Sequence, residues 1–197
     1  MGREFPVSLK FLVVVFTACA MSFLSLACST SESSESAHSA QWLQKYGLQG
    51  KDAKEITNEL DKMLVAQRPV DLIASVEPER LVLSDSSNEV ALPYPDDEFY
   101  LSFAPYENQT HDCYFHSLTT CLGELSATPI QVRVIDNSSG EILVDRSMET
   151  FDNGFAGLWL PRNRSATLTV RHGEKTATET ISTDAEAATC LTTVHLS

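Results

Sequence analysis

Apolar residues in the first part of the chain recur at helical spacing. One run opens with a capping box, in which the side chains of Asp52 and Glu55 satisfy free backbone N–H groups at the start of a helix. Its apolar positions return at every fourth residue, at Ile56, Leu60 and Leu64. Because the residue before a proline resists helical geometry, this run is predicted to end at Arg68. A shorter helical stripe precedes it, formed by Trp42, Leu43 and Tyr46.

Beyond Val70 the apolar spacing shortens to that of β-strands. Short apolar runs and alternating apolar and polar positions are separated by turn signals, which is typical of a small antiparallel sandwich. The predicted strand segments are 72–76, 81–83, 99–104, 130–134, 142–144, 155–160, 167–171, 176–182 and 190–196. The predicted fold class is therefore α+β. A small N-terminal helical and mixed domain, residues 39–95, is followed by a mostly antiparallel, sandwich-like β domain, residues 96–197.

The first residues have the pattern of an export signal. A basic start precedes an apolar run, Phe11–Leu26, which is too short for a comfortable membrane span. The residues before Cys28 resemble a lipobox, with small Ala27 in place but Ser25 where leucine is usual. We expect residues 1–27 to be removed and Cys28 to be lipidated, with the Ser/Glu-rich residues 28–38 as a tether. A plain secretory signal is the alternative. Either way the protein is exported, to the periplasm or the outer face of the cell membrane.

The charge of the chain argues against two classes of partner. The sequence has 27 acidic and 14 basic residues and a net charge of -13. Removing residues 1–27 takes away Arg3, Lys10 and Glu4, a net loss of one positive charge, which leaves the mature chain at -14. Nucleic acids and anionic lipids are bound through basic patches, so neither is an expected partner, and membrane contact is expected only through the N-terminal lipid.

The cysteines carry the candidate chemistry. If Cys28 is lipidated, the folded part of the chain keeps Cys113, Cys121 and Cys190. An odd number of cysteines in an oxidising compartment leaves at least one thiol outside an internal pair. Metal ligation is one explanation for such a thiol.

The spacing of Cys113 and Cys121 restricts how they share an ion. Two sulfurs on one metal lie within about 4.6 Å of each other, whereas eight residues of helix span about 12 Å and eight residues of strand about 26 Å. The chain must therefore bend between them, or one of them must partner Cys190. If this segment is a helical turn, His116 lies on the same face as Cys113. If it is a strand, His111 lies on the same face as Cys113. The residues alone do not choose between the two histidines.

Three interpretations of this cluster remain open. One disulfide plus a buried free cysteine would make the protein a stapled surface interaction module. Three cysteines and a histidine also suit zinc, although the usual two-residue cysteine spacing is absent. Cu(I) is a softer ion than Zn²⁺ and therefore suits soft thiolate ligands better. A thioredoxin-type role is disfavoured because there is no Cys-x-x-Cys, and no nucleophile–base arrangement supports a hydrolytic enzyme.

Longer segments carry a resemblance to the CueP-type copper-binding proteins. They are Asp97–Tyr106, Thr110–Cys121, Thr150–Phe155, Leu158–Asn163 and Thr189–Thr193. The similarity runs from about Trp42 to the end of the chain. The family consists of exported bacterial proteins of copper resistance. The resemblance implies that Cys113, Cys121 and Cys190 form or flank a copper site, with His116 ahead of His111 as a fourth ligand.

The function expected from this resemblance is that of a binding protein and not an enzyme. It would sequester Cu(I) through cysteine thiolates or hand the ion on to an extracytoplasmic protein that receives copper. A subsidiary hypothesis is that the thiols reduce Cu(II) while a disulfide forms. The chain departs from the family at its beginning, where it looks lipid-anchored instead of freely periplasmic.

Overall fold

A computed structural model describes residues 39–197, which form one compact unit. The predicted signal peptide, the tether and Cys28 lie outside the described residues. Within residues 39–197 no helix is long and apolar enough to cross a membrane.

The helices lie at the start of the described chain. Residues 39–45 are helical (α1), and Ala53–Asp61 form α2 behind the predicted capping box. The Asp52 carboxylate accepts from the Glu55 N–H at 2.8 Å, and the Glu55 carboxylate accepts from the Asp52 N–H at 2.9 Å. Side chains therefore satisfy the backbone N–H groups of both Asp52 and Glu55 at the start of α2.

The prediction that this helix continues to Arg68 is wrong. It ends at Asp61, and only a single 3₁₀ turn, Val65–Gln67, follows. Leu64 has a non-helical ψ of 136° and is 50% exposed. The Val65 N–H donates to the Asp152 carboxylate at 2.7 Å, a bond across 87 residues that the local pattern does not contain.

Eleven strands follow the helices in the described chain. They are β1 (Ile73–Val76), β2 (Arg80–Ser84), β3 (Glu89–Pro93), β4 (Glu98–Phe103), β5 (His116–Ser117), β6 (Pro129–Asp136), β7 (Ile142–Glu149), β8 (Ala156–Pro161), β9 (Ser165–His172), β10 (Lys175–Ser182) and β11 (Cys190–Leu191). Their orders in three sheets are β3-β2-β1-β5, β10-β9-β6-β7 and β11-β4-β8. Among the named strands of the described region, every pairing is antiparallel except that of β11 with β4. The predicted α+β class with sandwich-like sheets is confirmed.

Strand β4 is buried on both faces and separates two hydrophobic cores. Phe99, Leu101 and Phe103 point into a core shared with β6, β8, β9 and β10. Tyr100, on the opposite face, packs into a second core with α1, α2 and strands β1 to β3. Because successive side chains of a strand alternate, this one strand serves as a layer of both cores.

The predicted boundary between residues 95 and 96 falls inside the compact unit. Strand β5, from the second part of the chain, pairs with β1 in the first part, with Ser75 opposite Ser117 and Val76 opposite His116. The last predicted strand, 190–196, is also shorter than expected. Only Cys190–Leu191 pair as a strand, and a single bridge between Tyr106 and His195 follows.

Candidate metal centre

Backbone hydrogen bonds join strand β11 to the residue that follows Cys113. The N–H groups of Thr189 and Cys190 both donate to the Tyr114 carbonyl at 3.0 Å. Cys190 itself lies beside Ser102 of β4 and is 2% exposed. Cys190 therefore lies in the interior, and its position brings the C-terminal cysteine next to the residues that follow Cys113.

The bend that the sequence requires between Cys113 and Cys121 is present. After the short strand β5, a turn forms in which the Cys121 N–H donates to the Ser117 carbonyl at 3.1 Å. The Ser117 N–H in turn points at the Cys121 sulfur, at 3.4 Å. This reciprocal pair folds Cys121 back toward Cys113.

The three sulfurs form one cluster. Cys113 and Cys190 are joined by a disulfide, with their Cα atoms 5.6 Å apart. Cys121 is the free cysteine of the described region, and its Sγ lies 3.7 Å from the Sγ of Cys113. The buried residues Ala104 and Phe155 pack against the cluster. The folded chain therefore brings together the three cysteines that the sequence singled out.

His116 lies beside these sulfurs and is fully buried. Its Nδ1 is 3.8 Å from the Sγ of Cys190, and its Nε2 is 3.0 Å from an Asp61 oxygen. Since a carboxylate can only accept, Nε2 carries a proton and donates it. Burial acts to lower the pKa of His116, but the charge of Asp61 and the hydrogen bond to it outweigh burial and raise the pKa to about 9.

Asp61 is a fully buried carboxylate that reaches the site from the end of α2. It accepts from the Tyr100 hydroxyl at 2.6 Å and from the Asn153 side-chain amide at 2.9 Å, besides His116. Burial acts to raise the pKa of Asp61, but these three partners outweigh it and hold the pKa below its usual range. A carboxylate that orients the second nitrogen of a histidine is a recurrent outer partner at metal sites.

Asp61 is not among the site residues predicted from the sequence. Its signal was available, because Asp61 lies one turn beyond Thr57 and two turns beyond Ala53 on the buried face of α2. A charged residue on the buried face of a helix requires a partner. The identity of that partner depends on the fold, since His116 and Asn153 are 55 and 92 positions away.

The environment of Cys121 favours its thiolate. Burial acts to raise the pKa of this thiol, but His116, the Ser117 N–H and the nearby Arg68 guanidinium outweigh it and lower the pKa. Arg68 also donates from Nη1 to the Cys121 carbonyl at 2.9 Å. A thiolate is both the nucleophile and the metal ligand of cysteine chemistry, so this position is prepared for either.

Within residues 39–197, two sets of three ligand atoms lie close enough to hold one ion. His111, Cys113 and Cys121 form one set, and His116, Cys121 and Cys190 form the other, with all atoms of each set within 4.8 Å of one another. His111 is exposed, whereas His116 is buried. Both histidines left open by the sequence therefore lie near sulfur.

The chain is similar to known copper-binding proteins. The family model described as "Periplasmic copper-binding protein CueP" matches residues 55–195. A solved structure titled "Crystal Structure of S.CueP" is 40% identical, with a TM-score of 0.76, and the match covers 87% of this chain and 100% of that one. No curated protein matches.

Proposed function

Because this chain belongs to the CueP family of periplasmic copper-binding proteins, we propose that it binds Cu(I) at a site formed by the thiolates of Cys113, Cys121 and Cys190 and the imidazole of His116. The observation that carries the proposal is the clustering of all three sulfurs beside the buried His116. Thiolates favour soft monovalent copper over harder ions. In this role the protein sequesters copper outside the cytoplasm, or passes it to an extracytoplasmic protein that receives copper.

The proposed site is formed by reduced cysteines. In the disulfide form, Cys121 alone among the three offers a thiolate. Reduction of the Cys113–Cys190 bond frees two further sulfurs, and at Cys190 the backbone is held by a hydrogen bond to Tyr114 and by pairing with β4. Asp61 would hold the Nε2 proton of His116, which leaves Nδ1 directed at the sulfurs as the ligand atom.

A Cu(I) titration of the reduced protein tests this proposal. Under anaerobic conditions and in competition with a chromophoric Cu(I) chelator, the wild type is expected to bind the ion, and Cys121→Ser to lose at least about tenfold in affinity. The disulfide form of the wild type is the matched control and should bind far more weakly.

Two other outcomes would decide against copper. Equal Cu(I) affinity for the reduced protein, its disulfide form and Cys121→Ser would favour the stapled interaction module. Preference of the reduced protein for Zn²⁺ over Cu(I) in the same competition would favour a zinc-binding lipoprotein.

We further propose that the cysteines reduce Cu(II). Two Cu(II) ions would each take one electron, a sulfur–sulfur bond would form between Cys113 and Cys190, and two protons would leave. The pairing of these two cysteines in the structure supports the assignment of the bond. On anaerobic mixing with Cu(II), the reduced wild type is expected to lose two thiols and to yield Cu(I), and Cys190→Ser to yield less. An unchanged thiol titre with no Cu(I) signal rejects this step.

The proposed anchor is a lipid on Cys28. We expect the wild type to partition with membranes and its N-terminal peptide to carry the added mass of a diacylglycerol group. Cys28→Ala should be soluble and unmodified, whereas the matched control Cys19→Ala should keep the lipid. Recovery of the wild type as a soluble, unlipidated protein would leave the plain secretory signal as the explanation.

A further inference from the structure

Cys121 belongs to both sets of ligand atoms described above. We call His111, Cys113 and Cys121 the outer set, and His116, Cys121 and Cys190 the inner set. The two differ in exposure. In the outer set the histidine is exposed and the sulfurs are half-buried, whereas His116 and Cys190 of the inner set are 0% and 2% exposed.

A cleft of about 200 Å³ opens beside the outer set. Its lining includes His111, Thr110, Leu122, Gly123 and Glu124. One of these, Glu124, fixes the loop that carries His111, because its carboxylate accepts from the N–H groups of residues 107 and 108 at 2.6 and 2.9 Å. Solvent therefore reaches His111 through this cleft. The Glu124 carboxylate makes the cleft wall acidic, and its hydrogen bonds hold the neighbouring loop in place.

The Phe155 ring packs against the histidines of both sets. The fully buried Phe155 ring contacts both imidazoles, at centroid distances of 6.1 Å to His111 and 4.5 Å to His116. Within the two sets, Cys121 is the ligand that an ion in either position would share. An ion in either position would therefore be bound to the same sulfur.

We propose that one Cu(I) ion occupies these two overlapping positions in turn, entering at the outer set and moving to the inner set while it stays bound to Cys121. The proposal rests on the proposed function. In the move, the bonds to Cys113 and His111 break as bonds to Cys190 and His116 form, and the oxidation state of copper does not change. Both sets are complete only after a dithiol reductant has given two electrons and two protons to the Cys113–Cys190 disulfide and become a disulfide itself.

Cysteine substitutions on either side of Cys121 test the two positions. Reduced protein is mixed with the bicinchoninate complex of Cu(I), the uptake rate is followed by stopped-flow absorbance, and the affinity is measured by competition. Cys113→Ser is expected to slow uptake by about tenfold, a barrier change of about 1.4 kcal/mol, with little change in affinity. Cys190→Ser is expected to keep fast uptake and lose affinity by about tenfold or more.

Histidine variants supply a second, independent comparison. His111→Ala changes an exposed side chain and should behave as Cys113→Ser, whereas His172→Ala, at the end of β9, should match the wild type in rate and affinity. If Cys113→Ser and Cys190→Ser change rate and affinity alike, the ion is held by all three sulfurs in a single position and the proposal is wrong. Failure of the wild type to bind Cu(I) would instead reject the proposed function itself.

Discussion

Replacing Asp61 with alanine is expected to destabilise the metal-free protein by about 3–5 kcal/mol, because it breaks the buried, hydrogen-bonded pair of Asp61 and His116. The Tyr100 hydroxyl and the Asn153 amide lose an acceptor at the same time. Urea unfolding of the disulfide form, followed by circular dichroism, measures this loss. In the reduced protein, the affinity for Cu(I) should fall by about 10- to 100-fold, as for other outer partners of metal-bound histidines.

Asp61→Asn is the matched control for this variant. Asparagine keeps the shape of the side chain and an oxygen that can accept from Tyr100, but it removes the charge. We expect a smaller loss of stability than for alanine, together with a changed ¹⁵N chemical-shift pattern of the His116 imidazole. Stability of the Asp61→Ala variant within about 1 kcal/mol of the wild type would contradict the assigned role.

Gly157→Ala is expected to have the second largest effect. A Cβ atom at this position of β8 would overlap the Tyr100 hydroxyl and lie 2.5 Å from its Cζ. Tyr100 is 3% exposed and bonded to Asp61, so its ring cannot move aside without losing that bond. Overpacking and the lost hydrogen bond to a charged group together predict a loss of about 2–5 kcal/mol in unfolding free energy.

Gly140→Ala provides the comparison for that substitution. Gly140 lies in the β6–β7 turn, where an added Cβ meets nothing within 4 Å, although its φ of +73° favours glycine. Only backbone strain of about 1 kcal/mol is expected there. Equal effects of the two substitutions in the same unfolding experiment would mean that the contact with Tyr100 is not the cause.

The features of the fold that depend on neighbouring residues could be predicted from the sequence. The capping box at Asp52 and Glu55 and the alternation along segment 130–134 both report local geometry, and both are found where expected. The end of α2 could not be predicted, because Val65 is held by Asp152 from the other part of the chain. Local apolar spacing contains no information about a bond of that range.

The candidate site also has one feature that could be predicted from the sequence and one that could not. The need for a bend between Cys113 and Cys121 follows from their separation, and the chain makes that bend through Ser117. Three cysteines allow three pairings, however, and their spacing does not select Cys113 with Cys190. That choice depends on the parallel alignment of β11 with β4, which no local pattern encodes.

Asp61 on α2 is bonded to His116 beside the cysteine cluster, and this contact limits where the chain could be divided. A fragment beginning at residue 96 would carry every thiol of the cluster and both nearby imidazoles, yet it would lack the carboxylate that orients His116 and the strand β1 that pairs with β5. We therefore expect the C-terminal part alone to lack a complete form of the proposed copper site. Gene fusions or truncations that separate residues 39–95 from residues 96–197 should cause a folding defect. They should not yield a smaller copper-binding protein.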